Sequence, residues 1–268
     1  MPDSYITFER YFFWLVVYSV IGWIYECILE SFRQHRPVNR GFLNGPYLPI
    51  YGSGALLDVV ILGNIKNPVI LFISSAVITC SLEFLASVIL ERIFHIRWWD
   101  YNDFKFNVKG KEIDVGKFNI QGRICLVGAL AFGTLSILLV HFIHPFMVYV
   151  TDKFSYPMFH YVCFGLIILV TMDCLFTVFG LIGFNDKFKT LSSSIAQITN
   201  SFKDSTVNKV QSSTAYEKIN AACEKFVKGL SHQQLRIIHS FSQLRSIKYP
   251  KVTEKIKNIV FRKNIKPK

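Results

Sequence analysis

Four acidic residues stand in stretches that are otherwise almost entirely apolar: Glu26, Asp58, Glu83 and Asp173. A fifth, Glu30, follows Glu26 by four residues and so shares its helix face. An ionisable side chain at the centre of a membrane helix costs at least about 2.5–3.5 kcal/mol on insertion scales, which makes it a functional candidate by default. No Lys or Arg lies deep in the same stretches. The acids must therefore be protonated, pair with arginines at the segment ends, hold a cation or face water. Arg40 and Arg123 flank apolar segments and are the candidate partners. The alternative is polar packing against Ser, Thr and Tyr hydroxyls.

Two further stretches could do chemistry. Residues 40–54, RGFLNGPYLPIYGSG, hold four glycines and two prolines among apolar and aromatic side chains. Irregular backbone at membrane depth is tolerated only where protein buries it or where it lines a wet cavity. The stretch therefore reads as a short re-entrant or interfacial segment, with freed carbonyls and the Asn44 amide turned to a polar interior and Tyr47 and Tyr51 at headgroup level. An ordinary tight loop that sets a helix angle is the other possibility. The second stretch, Glu91–Arg123, is too aromatic for a linker: Trp98, Trp99, Tyr101, Phe104 and Phe106 alternate with Asp100, Asn102 and Asp103. It predicts an interfacial cap with a hairpin near Lys111, Ile113 and Val115, between Gly110 and Gly116. Asp100 and Asn119 are placed to bind a polar headgroup or solute, or else to cap helices.

The elements that must position these residues are membrane helices. The chain is 51% hydrophobic and 18% charged, against about 25% charged in soluble domains. Five segments approach the 17–25 apolar residues that a crossing needs: 11–29, 48–65, 68–90, 124–143 and 159–183. The leader before the first has Asp3, Glu9 and only Arg10 as a cation, with no small-residue cleavage site after it, so the first segment is expected to be a retained helix. Lys and Arg between segments alternate as three, one, seven and one, with seventeen after the last. Cytoplasmic loops carry the excess of these residues, which puts the N-terminus outside and the C-terminus in the cytoplasm. The fold class expected is an all-α membrane protein of about five transmembrane helices with a re-entrant or interfacial segment, plus a basic helical cytoplasmic tail. Residues 1–184 form the transmembrane domain and 185–268 the tail.

Charge separates the two parts. Residues 1–184 carry 13 basic and 13 acidic side chains, so the excess of +12 lies wholly in the tail. The front has no basic stripe or nucleic-acid motif, which excludes nucleic acid as its partner. In the tail, Leu235, Ile238, Phe241 and Leu244, then Val252, Ile256 and Ile259 beyond Pro250, form apolar stripes at helical spacing. Basic amphipathic helices of this kind lie on a bilayer with anionic lipids or pair with a partner helix. The composition also allows a solvated, unfolded tail. The six cysteines have no ligand-like spacing and read as packing residues. His141 and His144, near Asp152 and His160, make a surface metal site conceivable, and interfacial histidines are the simpler reading. No cofactor is expected, and no nucleotide-binding loop, metalloprotease or serine-hydrolase motif occurs.

The strings GWIYE (22–26), RGFLNGPYLPIYGSGA (40–55), Glu83, WWDY (98–101) and FNIQGRICL (118–126) together resemble the bacterial family described as putative ABC-transporter type IV. The resemblance covers about residues 8–185. It departs from the family pattern by extra residues between the WWDY and FNIQGR strings and by the long tail. It implies a transport-related, permease-like subunit of the bacterial plasma membrane, with a separate ATPase subunit as motor. Glu26, Arg40, Asn44, Tyr51, Glu83, Asp100, Tyr101, Asn119 and Arg123 are then the substrate-binding candidates, gathered in the half of the membrane facing the cytoplasm. Two other classes stay open: a membrane-embedded enzyme acting on a lipid or isoprenoid headgroup, with Glu26 or Asp100 as base and Arg40 and Arg123 on phosphate, and a non-catalytic scaffold or regulator working through the tail.

Overall fold

A computed structural model describes residues 3–103, 105–108, 111–114, 116–203 and 209–262. Helix α1 (Asp3–Gln34) is apolar along most of its length and stops three residues before Pro37, with His35 in the left-handed region at φ 50°. Proline disfavours helix in the residue before it and cannot donate to a helical ladder, so the chain leaves the helix there.

The chain then turns back along α1 without forming a helix. Val38 N–H donates to Ser31 Oγ at 3.0 Å, Arg40 N–H to Cys27 Sγ at 3.2 Å and Leu48 N–H to the Ser19 carbonyl at 2.9 Å. These three rungs descend α1 from near its C-terminal end to its middle. Only there does α2 (Pro49–Leu57) begin, with Pro49 at the first helical position, where a missing N–H costs nothing. It continues as a π-helical turn (Asp58–Leu62) and packs Ala55 and Val59 onto a cluster of Trp14, Tyr18, Leu139 and Met147.

The expected second span over 48–65 is thus helical but too short to cross by itself. Residues 49–62 rise about 21 Å, short of the roughly 30 Å hydrocarbon core. The irregular residues 35–48 run along α1 ahead of it, because Pro37, Gly41, Gly45 and Pro46 deny them a helix. Close approach to α1 is made possible by small residues. A Cβ at Gly22 would strike the Tyr51 ring, and one at Gly52 would strike Ser19 Oγ and the Leu15 carbonyl.

Four helical stretches are long and apolar enough to cross a membrane: Thr7–Gln34, Pro68–Phe94, Leu126–Asp152 and Tyr156–Asn200. The second is α3 (Pro68–Phe94). The third joins α4 (Leu126–Leu138), a π turn (Leu139–Ile143) and α5 (His144–Asp152). It outruns the expected end at Ile143 because the widened π turn absorbs Pro145, whose ring would break a regular α ladder. The fourth starts with α6 (Tyr156–Leu181). Ile73, Val77, Phe142 and Phe176 are exposed on these helices, as lipid-facing side chains must be. The chain is a multi-pass, all-α membrane protein.

Two compact units divide the chain. The first comprises residues 1–88 and 100–176, the second residues 89–99 and 177–268. In the first, β2 (Lys105–Val108) and β3 (Lys111–Asp114) form the expected hairpin, whose Gly110 and Val115, like Phe104, lie outside the described residues. A second antiparallel pair, β4 (Asn119–Ile120) with β5 (Ile124–Cys125), leads into α4. In the second unit, β1 (Ile96–Arg97) pairs with β6 (Arg245–Ser246). Around it stand α7 (Phe184–Lys203), α8 (Lys209–Lys228), α9 (His232–Ser240) and α10 (Pro250–Arg262). Ser231 and Gln234 close a capping box on α9.

The apolar stripes of the tail are consumed by this packing. Leu235, Ile238, Phe241 and Leu244 are buried, and so are Val252 and Ile256; the register of α10 buries Val260 rather than the expected Ile259. Trp98 is buried against Phe94 and Phe241 in the same unit, so it is a core residue and not an interfacial anchor.

Candidate functional site

Five elements of the first unit converge on one group of carboxylates and phenols. Helix α1 supplies Glu26 and Glu30. The returning chain supplies Arg40, whose backbone is pinned at Cys27 and whose guanidinium lies 3.6 Å from Glu26 and 3.7 Å from Glu30. Arg33 and Gln34 also donate to Glu30, so that carboxylate is fully occupied. From α2, Tyr51 donates its hydroxyl to Glu26 Oε1 at 2.6 Å. From α3, Glu83 accepts the hydroxyl of Tyr101 at 2.9 Å. Glu83 is 7% exposed, and its other oxygen, Oε2, is buried without a hydrogen-bond partner. The Glu26 carboxylate acts electrostatically on both Glu83 and Tyr101, so the two acid–phenol pairs form one group.

Tyr101 owes its position to the loop. Its N–H donates to the Gly122 carbonyl at 2.9 Å. Asp100 holds the turn Tyr101–Asp103 by accepting from Asn102 N–H (3.1 Å) and Nδ2 (2.8 Å). Asn119 closes the far side, donating to the Gly116 carbonyl and accepting from Gly122 N–H, each at 2.7 Å. Gly122 sits at φ +67° against Asp100 and Asn102, where a side chain would be both strained and obstructed. Burial first, then the Glu83 and Glu26 carboxylates, push the Tyr101 phenol well above its ordinary value, so it stays a hydroxyl donor.

The structure therefore brings Glu26, Arg40, Tyr51, Glu83 and Tyr101 together. Asp100 and Asn119 lie behind them and shape the loop. Arg123 is buried, donates to Ser87 Oγ at 2.8 Å and lies over the Phe84 ring. Asn44 belongs to a second arrangement. The Asp173 carboxylate accepts from Asn44 N–H (3.0 Å), Asn44 Nδ2 (2.8 Å), Gly45 N–H (2.8 Å) and Tyr47 OH (2.6 Å), which fixes the returning segment on α6. Cys27, Ser87 and Tyr47 carry positioning roles that no spacing in the sequence announces. Asp173 was visible as an intramembrane acid, but its partners lie about 130 residues away.

Chemically, Glu26 is balanced by Arg40, whereas Glu83 has only a neutral phenol and an open oxygen. That oxygen can accept a hydrogen bond or pair with a cation. Among the described residues, no group of three or more His, Cys, Asp or Glu could hold a metal ion. His141 turns to its own helix carbonyl at Ile137, His144 meets Tyr18 OH at 2.8 Å, and His160 meets Glu9 at 2.6 Å.

The model of a family described as "Putative ABC-transporter type IV" matches residues 13–113 and 114–178, which include every residue of this group. No curated protein matches the chain, and no solved structure does.

Proposed function

Because the chain belongs to the putative ABC-transporter type IV family, a transport-related group of membrane proteins, we propose that it is a permease-like subunit whose carboxylate–phenol group binds a polar solute within the membrane. Glu83 and Glu26 receive cationic or hydrogen-bond-donating groups of that solute, and Tyr51 and Tyr101 hold the carboxylates in place. Arg40 pairs with Glu26, Arg123 braces α3 beside the loop, and Asn44, Asp100 and Asn119 fix the segments that carry the site. The observation that supports this reading is the buried, unpartnered Oε2 of Glu83. A carboxylate left half-satisfied in a low-dielectric interior is costly, which a bound donor would relieve.

The chain has no nucleotide-binding loop, so the energy would come from a separate ATPase subunit. The alternation of basic loops supports a bacterial plasma-membrane protein with the N-terminus outside and the C-terminus cytoplasmic. The basic excess after residue 184 would then lie on the side of the anionic leaflet.

The experiment is a thermal-shift screen of cationic and neutral polar solutes on the purified chain, followed by flux of any stabilising solute in vesicles. Stabilisation and flux should both vanish in Glu83→Gln and fall in Glu26→Gln while both variants stay folded. Unchanged flux in the two variants would remove the reading.

A further inference from the structure

A second buried group lies further along α2. Asp58 opens the π turn there, and it is 2% exposed. Ser75 of α3, fully buried, donates its hydroxyl to Asp58 Oδ2 at 2.6 Å. Ser136 of α4, 2% exposed, also faces this carboxylate. Yet Asp58 Oδ1 and Ser136 Oγ are both buried without a hydrogen-bond partner. No ion pair reaches Asp58 among the described residues.

The hydroxyls make the point sharper. Ser and Thr in apolar helices commonly satisfy themselves on the carbonyl four residues back. Thr79, Ser81 and Thr134 of these same helices do so. Ser75 and Ser136 do not; both are turned to Asp58 instead. The two π turns of the fold also pack against each other here, Asp58–Leu62 and Leu139–Ile143. A π turn interrupts the regular α ladder and recurs at functional sites.

We infer that Asp58, Ser75 and Ser136 form a binding site for a small monovalent cation of the Na+ class. One carboxylate with two hydroxyls is an all-oxygen donor set, which suits a hard cation. A single negative charge in a low-dielectric interior is neutralised by one positive charge, whereas a divalent ion would leave an uncompensated excess. The site is distinct from the carboxylate–phenol group: Asp58 lies seven residues beyond Tyr51, about 10 Å along the helix. It does not depend on the solute-binding reading given above.

The test is binding of 22Na+ to the full chain in lipid nanodiscs, with unlabelled Na+, Li+ and K+ as competitors. Saturable binding is expected in the wild type, with Li+ competing better than K+. Binding should disappear in Asp58→Asn and weaken roughly tenfold in Ser136→Ala, a typical effect of losing one polar group around a metal. Ser81→Ala, whose hydroxyl is self-satisfied, should bind as the wild type does. Should Asp58→Asn fail to fold, Ser136→Ala and Ser75→Ala decide the matter. Absence of saturable 22Na+ binding in the wild type, or binding undiminished in Ser136→Ala, would overturn the site. So would an infrared carbonyl band of a neutral carboxylic acid that Asp58→Asn removes at saturating Na+, because a proton would then be the neutralising cation.

Discussion

The backbone N–H of Leu48 donates to the carbonyl oxygen of Ser19 across 2.9 Å, joining a chain that has just left its irregular path to the middle of a regular transmembrane helix. Before this point the chain is irregular, and just after it a short helix begins. Polar main chain is kept at membrane depth only because α1 and α6 supply the partners. Tyr51 of the acid–phenol group stands just past this junction and reaches Glu26.

The close contact around that junction predicts that Gly52→Val is destabilising. The new Cβ would meet the Leu15 carbonyl, which cannot move aside without distorting α1. A loss of about 1–3 kcal/mol is expected from overpacking of this kind. Gly54→Ala should be tolerated, because its Cβ would first meet Thr79 at an ordinary 3.6 Å. Melting temperatures of the two variants in detergent check the contrast.

Asp173 should prove to be a positioning residue. Asp173→Ala removes the acceptor of four hydrogen bonds from Asn44, Gly45 and Tyr47. Hydrogen bonds to charged groups contribute about 1.5–3 kcal/mol, and part of this one is exposed, so a total loss of about 2–3 kcal/mol is expected. Amide hydrogen exchange should rise over residues 42–48 and stay low in α3. Exchange over residues 42–48 equal to that of the wild type would remove the role.

Tyr101 and Glu83 should be coupled. Tyr101→Phe leaves a buried carboxyl with neither oxygen partnered, for a cost of about 1–3 kcal/mol. In Glu83→Leu the phenol has lost its acceptor already, so adding Tyr101→Phe should cost less than it does alone. A double-mutant cycle on stability reads the difference directly. Additive effects would show that the hydrogen bond contributes nothing.

In the second unit, Ile256 is fully buried on α10. Ile256→Ala should destabilise that unit by about 2–5 kcal/mol, and the exposed Lys251→Ala by no more than about 0.5 kcal/mol. Because Trp98 packs in the same unit against Phe241, its fluorescence should shift with the unfolding of Ile256→Ala. A Trp98 signal indifferent to this variant would contradict the β1–β6 pairing.

Much of this protein was legible one residue at a time. Apolar runs bounded by basic loops identify helices in a membrane, because burial of apolar side chains depends on local composition and on length. Gly41, Gly45 and Pro46 identify an irregular segment for an equally local reason: glycine frees and proline fixes its own backbone. The alternation around Lys111 and Ile113 was sufficient for a hairpin. Glu26, Glu83 and Arg40 were recognisable as residues that a membrane does not admit without a use.

What tertiary structure alone decided is the pairing. Glu26 meets Arg40 and Tyr51, Glu83 meets Tyr101, Asp58 meets Ser75, and Asp173 meets Asn44 and Tyr47. No spacing encodes these partners, since a hydrogen bond depends on where two helices cross and how each is rotated. The apolar stripes on α9 and α10 make the same point from the other direction. Their helical period was readable, but only packing determined that protein and not lipid would cover them. The sequence thus determines which groups must leave water or find a partner, and the three-dimensional arrangement determines which partner each one finds.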